Sequence, residues 1–211
     1  MGSQRVQYLR GSAANEGVGA LNFRRRNVSK LGDIVNSSPA YVRGPRRNLT
    51  DASYLAFRSA YANRAEMIYV GANDGMLHGF KASNGDEVMA FVPSPVYSRL
   101  SGLTAQGFQH KYMVDGSPSV ADIKFSGGWR TLLVSGLSAG GRGLFAIDVT
   151  DPASFSEAAP GDTVLWEFTS TDDDDLGLTY SQPTIIRLNN GDPGVVVGNG
   201  VIADGYDIRE L

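Results

Sequence analysis

Apolar residues in this chain come in short runs, each cut off by Gly, Asn, Asp or Ser, and this spacing predicts strands over most of the length. The clearest stretch is Met67–Phe91, MIYVGANDGMLHGFKASNGDEVMAF. Met67–Gly71 reads as a strand. Asn73-Asp74-Gly75 follows, and Asp-Gly is the signal for a type I′ hairpin turn with positive φ at both central residues. Met76–Lys81 reads as a second strand, with Leu77, Gly79 and Lys81 on one face and Met76, His78 and Phe80 on the other. Asn84-Gly85 marks another such turn and Val88–Phe91 a third strand. A meander of this size leaves two open edges and a bare apolar face, so it requires neighbours of its own kind.

The same grammar recurs. Leu31–Val42, LGDIVNSSPAYV, gives a strand signal interrupted at Pro39, and Lys111–Val120, KYMVDGSPSV, echoes it. Ala121–Phe125 and Thr131–Ser135 flank a hairpin turn at Ser126-Gly127-Gly128. A glycine-rich loop, Gly136–Gly143, leads into the strand Leu144–Val149, which Asp151-Pro152 breaks. Thr163–Phe168 is a further strand, and Thr184–Leu188 and Gly194–Val197 are joined by Asn189-Asn190-Gly191. Ser53–Ala62 has helical character, Tyr97, Leu100 and Leu103 have helix-like spacing, and Val6–Leu9 fits a short strand or a helical turn.

The Ser-Pro or Gln-Pro mark falls at Pro39, Pro118 and Pro183, and the matching Val-rich strands are IYVGA, LLVSG and VVVGN. Four-stranded units repeating with insertions predict an all-β fold, a β-propeller of four-stranded antiparallel blades. The recurrences amount to three to four blades, an incomplete ring, since closed propellers have about four to eight. The chain divides into a lead-in segment, 1–30, a partial β-propeller, 31–200, and a tail, 201–211, that fits no strand-and-turn pattern. The fourth strand of the 67–91 blade is expected from Ile34–Val42, across an insertion.

Composition narrows function more than fold. The 211 residues carry a net charge of −3, which gives no global signal for nucleic acid or an anionic membrane. The absence of cysteine excludes disulfides, cysteine-based zinc sites and a cysteine nucleophile. No apolar run is long enough for a membrane-spanning helix, and Met1-Gly2-Ser3 opens no signal-peptide pattern. Arg24-Arg25-Arg26 reads as a solvated surface run or an anion contact.

Candidate chemistry is sparse. Asp172, Asp173, Asp174 and Asp175 offer hard oxygen ligands suited to Ca²⁺, but not at the EF-hand spacing, and an acidic solvated loop is the competing reading. Gly136–Gly143 lacks the Lys-Ser/Thr and the helix of a phosphate-binding loop. His78 reads as a packing or edge residue and His110 as a loop residue, so no zinc site or catalytic triad is expected.

Longer runs carry a resemblance. YLRG at 8–11, LGDIVNSSPAYV at 31–42 and AFRSAYANRAEMIYVGANDGMLHGF at 56–80 come first. FVPSPVYSRL at 91–100, YMVDGSPSVAD at 112–122 and GGRGLFAIDVTDP at 140–152 follow. VLWEF at 164–168, LGLTYSQPTI at 176–185 and VVGNG at 196–200 complete the order. Together they resemble the C-terminal propeller of PilY1-type proteins, the type IV pilus biogenesis factors and tip-associated adhesins. The resemblance implies a non-enzymatic propeller that acts through protein contacts with minor pilins or other pilus components, and with a host or surface ligand. It implies export to the cell surface, pilus tip or outer membrane/periplasm of a Gram-negative bacterium. It implies Ca²⁺ in the full-length family protein, held by an Asp-x-Asp-x-Asp-Gly loop that this chain does not match; no cofactor is expected in this fragment. The tail from Val201 to Leu211 departs from the family's continuation. Ala82–Glu87 also resembles a turn of quinoprotein propellers, and the alternative is a PQQ-dependent dehydrogenase-like propeller. Phe91 and Trp166 then take the blade-docking aromatic position.

Overall fold

The computed structural model describes residues 2–17, 19 and 21–200. The 201–211 tail and Met1 lie outside the described residues. Strands β1 (Ala40–Val42), β2 (Met67–Ala72), β3 (Met76–Lys81) and β4 (Glu87–Phe91) form one antiparallel sheet in that spatial order. Strands β5 (Ser119–Phe125), β6 (Gly128–Gly136), β7 (Gly143–Asp148) and β8 (Val164–Thr169) form a second with the same order. Strands β9 (Thr184–Arg187) and β10 (Pro193–Val196) form an antiparallel pair. Among the described residues the expected blades are therefore two complete four-stranded sheets and a two-stranded third, and these sheets do not close a ring. The fourth strand of the first blade does come from the Ile34–Val42 segment, reduced to its last three residues, paired Ala40↔Tyr69 to Val42↔Met67.

The first strands of successive sheets lie against one another, β1 on β5 and β5 on β9, as expected of blades arranged about a common axis. Each core lies between blades. Leu77 of β3, Leu133 of β6, Phe145 and Ile147 of β7, Val96 and Val114 are fully buried together between the first and second sheets. Phe91 lies 5.1 Å from Phe145 across this interface, the docking role its position predicts. On the far face of the second sheet, Ile123, Leu132, Val134 and Ala146 pack against Ile185 of β9 and Val195 of β10. Farther out on β8, Trp166 and Phe168 are each more than a third exposed.

The echo between the two Ser-Pro segments becomes physical contact. The Asn36 backbone N–H donates to Asp115 Oδ1 at 3.0 Å and its side-chain amide to Asp115 Oδ2 at 2.6 Å. Ser37 Oγ donates to the Gly116 carbonyl, and the Ser38 N–H to Ser117 Oγ, both at 2.9 Å. Glycine at the ends of the second strands permits this approach. A Cβ on Gly71 would lie 2.4 Å from the Val114 carbonyl oxygen, and one on Gly136 2.8 Å from that of Thr179.

Two hairpin expectations are corrected. At the β2–β3 connection only Gly75 has positive φ (93°), and Ala72 pairs with Met76, so the loop is three residues, 73–75. At the β3–β4 connection only Gly85 has positive φ (78°). A type I′ turn needs two such residues in a two-residue loop; Asp74 and Asn84 instead use their side chains to bond neighbouring backbone N–H groups. The helical expectations stand: α2 spans Ala52–Ala60, and a 3₁₀ helix spans Ser94–Thr104. Val6–Leu9 lies in a helix, α1 (Gly2–Leu9).

Candidate functional site

Alternating strand direction puts the β1–β2, β3–β4, β5–β6 and β7–β8 connections at one end of the blades. The long β1–β2 insertion dominates that end. Asp51 caps α2 by accepting the Ser53 and Tyr54 N–H groups at 2.7 and 3.1 Å. The Ser53 hydroxyl and these two N–H groups, with Lys124 nearby, keep the Asp51 carboxyl at about 2.

The helix then crosses to the second blade. Tyr54, fully buried, donates its hydroxyl proton to Asp122 Oδ2 at 2.8 Å and accepts the Arg47 N–H at 2.8 Å. Thr131 donates to Asp122 Oδ1 at 2.8 Å, so both oxygens of this buried carboxylate are satisfied. Arg64 donates to Thr131 Oγ1 at 2.7 Å and to the Thr150 carbonyl at 2.9 Å. Trp129 lies edge-on to Tyr54, 4.8 Å between centroids, and its indole N–H reaches Ser53 Oγ at 2.9 Å. Beside this clasp is a polar cavity of about 480 Å³ walled by Trp129, Tyr61, Arg130, Asp148, Asp151 and Asp162. Strand signals in the sequence carry no trace of the clasp, because its partners are far apart in the chain.

The four predicted acidic residues lie at the opposite end, after β8. Asp173, Asp174 and Asp175 can each bring a carboxylate oxygen within 4.8 Å of the others, all exposed. Asp172 is not among them: its Oδ2 accepts the Thr169 N–H at 2.8 Å and the Thr169 hydroxyl at 3.0 Å. The Arg142 guanidinium donates to the carbonyls of Asp174 and Leu176. A hard cation here would draw on exposed carboxylates and water, with a guanidinium already on two nearby carbonyls.

Of the two readings of the Arg24–Arg26 run, Arg25 fits the solvated surface and Arg26 the anion contact, made within the chain to Glu16. The Arg26 side chain is 7% exposed: Nε donates to Glu16 Oε1 at 2.7 Å, and Nη1 and Nη2 to the carbonyls of Tyr8 and Ser12 at 2.7 and 2.9 Å. Its guanidinium also lies 3.5 Å over the Tyr8 ring. Arg24 bonds the Leu103 carbonyl and stacks on Phe108. Only Arg25 is exposed. Burial pushes Glu16 up, but the Arg26 N–H, Lys30 and the Arg26 side chain outweigh it and hold the carboxyl at about 2. The run is an anchor for the lead-in segment, beside a cavity of about 430 Å³ that reaches Asp33 and Asp74.

His78 is neither an edge residue nor simple packing. It lies on the interior strand β3, buried, with Nδ1 2.5 Å from Glu87 Oε1 and Nε2 3.1 and 3.2 Å from the two Asp74 oxygens. Burial opposes its protonation, yet Asp74 and then Glu87 outweigh that and raise its pKa above the ordinary value. His110, in its loop, pairs with Asp33 at 2.8 Å.

The comparisons with known proteins agree with this architecture. The family model of the PilY1 β-propeller domain matches residues 31–207. The chain is 48% identical over 210 residues to the type IV pilus biogenesis factor PilY1 of Pseudomonas aeruginosa strain PAK, covering 94% of this chain. A PilY1 homologue of Xylella fastidiosa is 44% identical over 206 residues, again across 94% of this chain. The chain spans 17% and 16% of the length of these two relatives. The crystal structure of the Pseudomonas aeruginosa PilY1 C-terminal domain superposes with a TM-score of 0.61 at 44% identity, over 76% of this chain and 31% of that one. Two four-stranded blades docked through buried aromatic and aliphatic faces, and a family match over most of the length, place the chain in the PilY1 β-propeller family.

Proposed function

We propose that this propeller segment serves a type IV pilus biogenesis factor as a non-enzymatic contact scaffold, in a protein exported to the cell surface or pilus tip. The observation that carries the reading is the 48% identity to a pilus biogenesis factor across 94% of this chain. The physical support is the clasped loop end. Binding loops work best on a rigid base, and here α2 and the 149–163 connection are held on the second blade by buried and partly buried hydrogen bonds. Minor pilins or other pilus components are the partners this reading assigns, with a host or surface ligand as a further one.

The test is clean deletion of the whole gene in its own host, with surface pili counted by electron microscopy and twitching measured on agar. Loss of both, restored by the intact gene, is expected. Normal piliation, twitching and adhesion in the deletion strain overturn the proposal.

A further inference from the structure

We propose that His78 is a proton-operated latch on the first blade: as the imidazolium it fastens both Asp74 of the β2–β3 turn and Glu87 of the edge strand β4 to β3, and loss of its proton releases Glu87. Both ring nitrogens face carboxylate oxygens, Nδ1 toward Glu87 and Nε2 toward Asp74. Only the doubly protonated ring donates to both; a neutral ring has one N–H and turns a lone pair toward the other carboxylate. The charged groups facing the ring are Asp74 from the turn and Glu87 from β4, and Phe80 stacks on it at 5.7 Å and 12° between planes.

The geometry decides which carboxylate leaves. The Asp74 side chain is 14% exposed, and its Oδ2 also accepts the Gly32 N–H at 2.7 Å. The Glu87 side chain is 48% exposed, so it can exchange the imidazole for water at little cost. The neutral ring therefore keeps its proton on Nε2 for Asp74, and the edge strand loses its tie. Because protonation is favoured in the fold, the stabilisation is complete below the ordinary histidine pKa and is lost as pH rises through the raised value. The latch is closed at acidic pH and opens as pH rises through that raised value.

The experiment uses the whole 211-residue chain, whose two histidines give two imidazole signals in NMR. His110→Gln assigns them. Amide exchange of peptides covering 86–91 is then compared with that of the interior strand β7 between pH ~6 and ~9, corrected for intrinsic chemistry. The expected results are a His78 titration above the ordinary value, and an exchange rise in β4 about threefold or more beyond that in β7. Glu87→Gln, at an exposed position, is expected to lower the His78 pKa and to abolish the extra rise. A His78 that titrates at or below the ordinary value, or a Glu87→Gln chain that keeps the full rise, overturns the latch.

Discussion

Tyr54→Phe tests whether the insertion truly clasps the second blade. The change removes one oxygen and no packing. That oxygen donates to a buried carboxylate, Asp122, and accepts a backbone N–H, that of Arg47, both at 2.8 Å. A hydrogen bond to a charged group contributes about 1.5–3 kcal/mol, and the bond to the partly buried Arg47 N–H adds up to about 1 kcal/mol. Asp122 retains the Thr131 hydroxyl on its other oxygen, which limits the loss. The expected destabilisation is about 2–3 kcal/mol, or a urea midpoint lower by about 1 M for an m of ~2–3 kcal/mol/M. The control is Tyr41→Phe, whose hydroxyl reaches Glu66 at 2.5 Å on an exposed strand and should cost under about 0.5 kcal/mol. Unfolding is followed by far-UV circular dichroism and by tryptophan fluorescence, since Trp129 touches the clasp directly. A Tyr54→Phe chain within about 0.5 kcal/mol of the parent, or equal losses in both variants, refutes the assignment of the clasp as a buried, cooperative tie.

Two further outcomes follow from the packing and the charges. Phe145→Ala empties the centre of the interface between the first two blades, where Phe145 is 1% exposed, and should cost about 3–5 kcal/mol in denaturant titration. Glu16 titrates at about 2 in the fold against an ordinary 4.5, so its contribution is complete above 4.5 and disappears as pH falls toward 2; Glu16→Gln should flatten the acid limb of stability against pH, measured by urea midpoints at several acidic pH values.

Much of the blade architecture was legible because each strand is short and bounded by residues with specific turn chemistry. The strand ends at Gly71 and Gly136 were visible as repeats, and the structure supplies their cause in the backbone of the following unit lying within Cβ distance. What could not be read was anything that depends on distant residues. The sequence leaves Arg26 between a surface cation and an anion contact without naming the anion; Glu16 and the carbonyls of Tyr8 and Ser12 converge on it only once the lead-in folds. The helical signal over Ser53–Ala62 was real, but that Tyr54 should find Asp122, 68 residues onward, is a property of blade placement. Asp172–Asp175 read as one group, and backbone bonding at Thr169 separates the first from the rest.

The His78 site shows where the boundary of legibility falls, because all its members lie within the stretch whose strands were read correctly. Strand alternation places His78 on the face of Met76 and Phe80, as found. In a regular ladder continued from Gly79↔Met89, Phe80 would face Val88, and Glu87 would stand opposite Lys81, on the face away from the histidine. The register instead shifts between Gly79 and Phe80, so that Phe80 faces Glu87. One extra residue carries the carboxylate across the sheet to His78. The second blade has a shift at the matching place, between Ala146 and Ile147 of its third strand, so the bulge is part of the repeat. In the first blade the same irregularity brings an acid to a buried base. Alternation alone cannot show this, since a bulge leaves the pattern of strands and turns intact and changes only which side chains share a face.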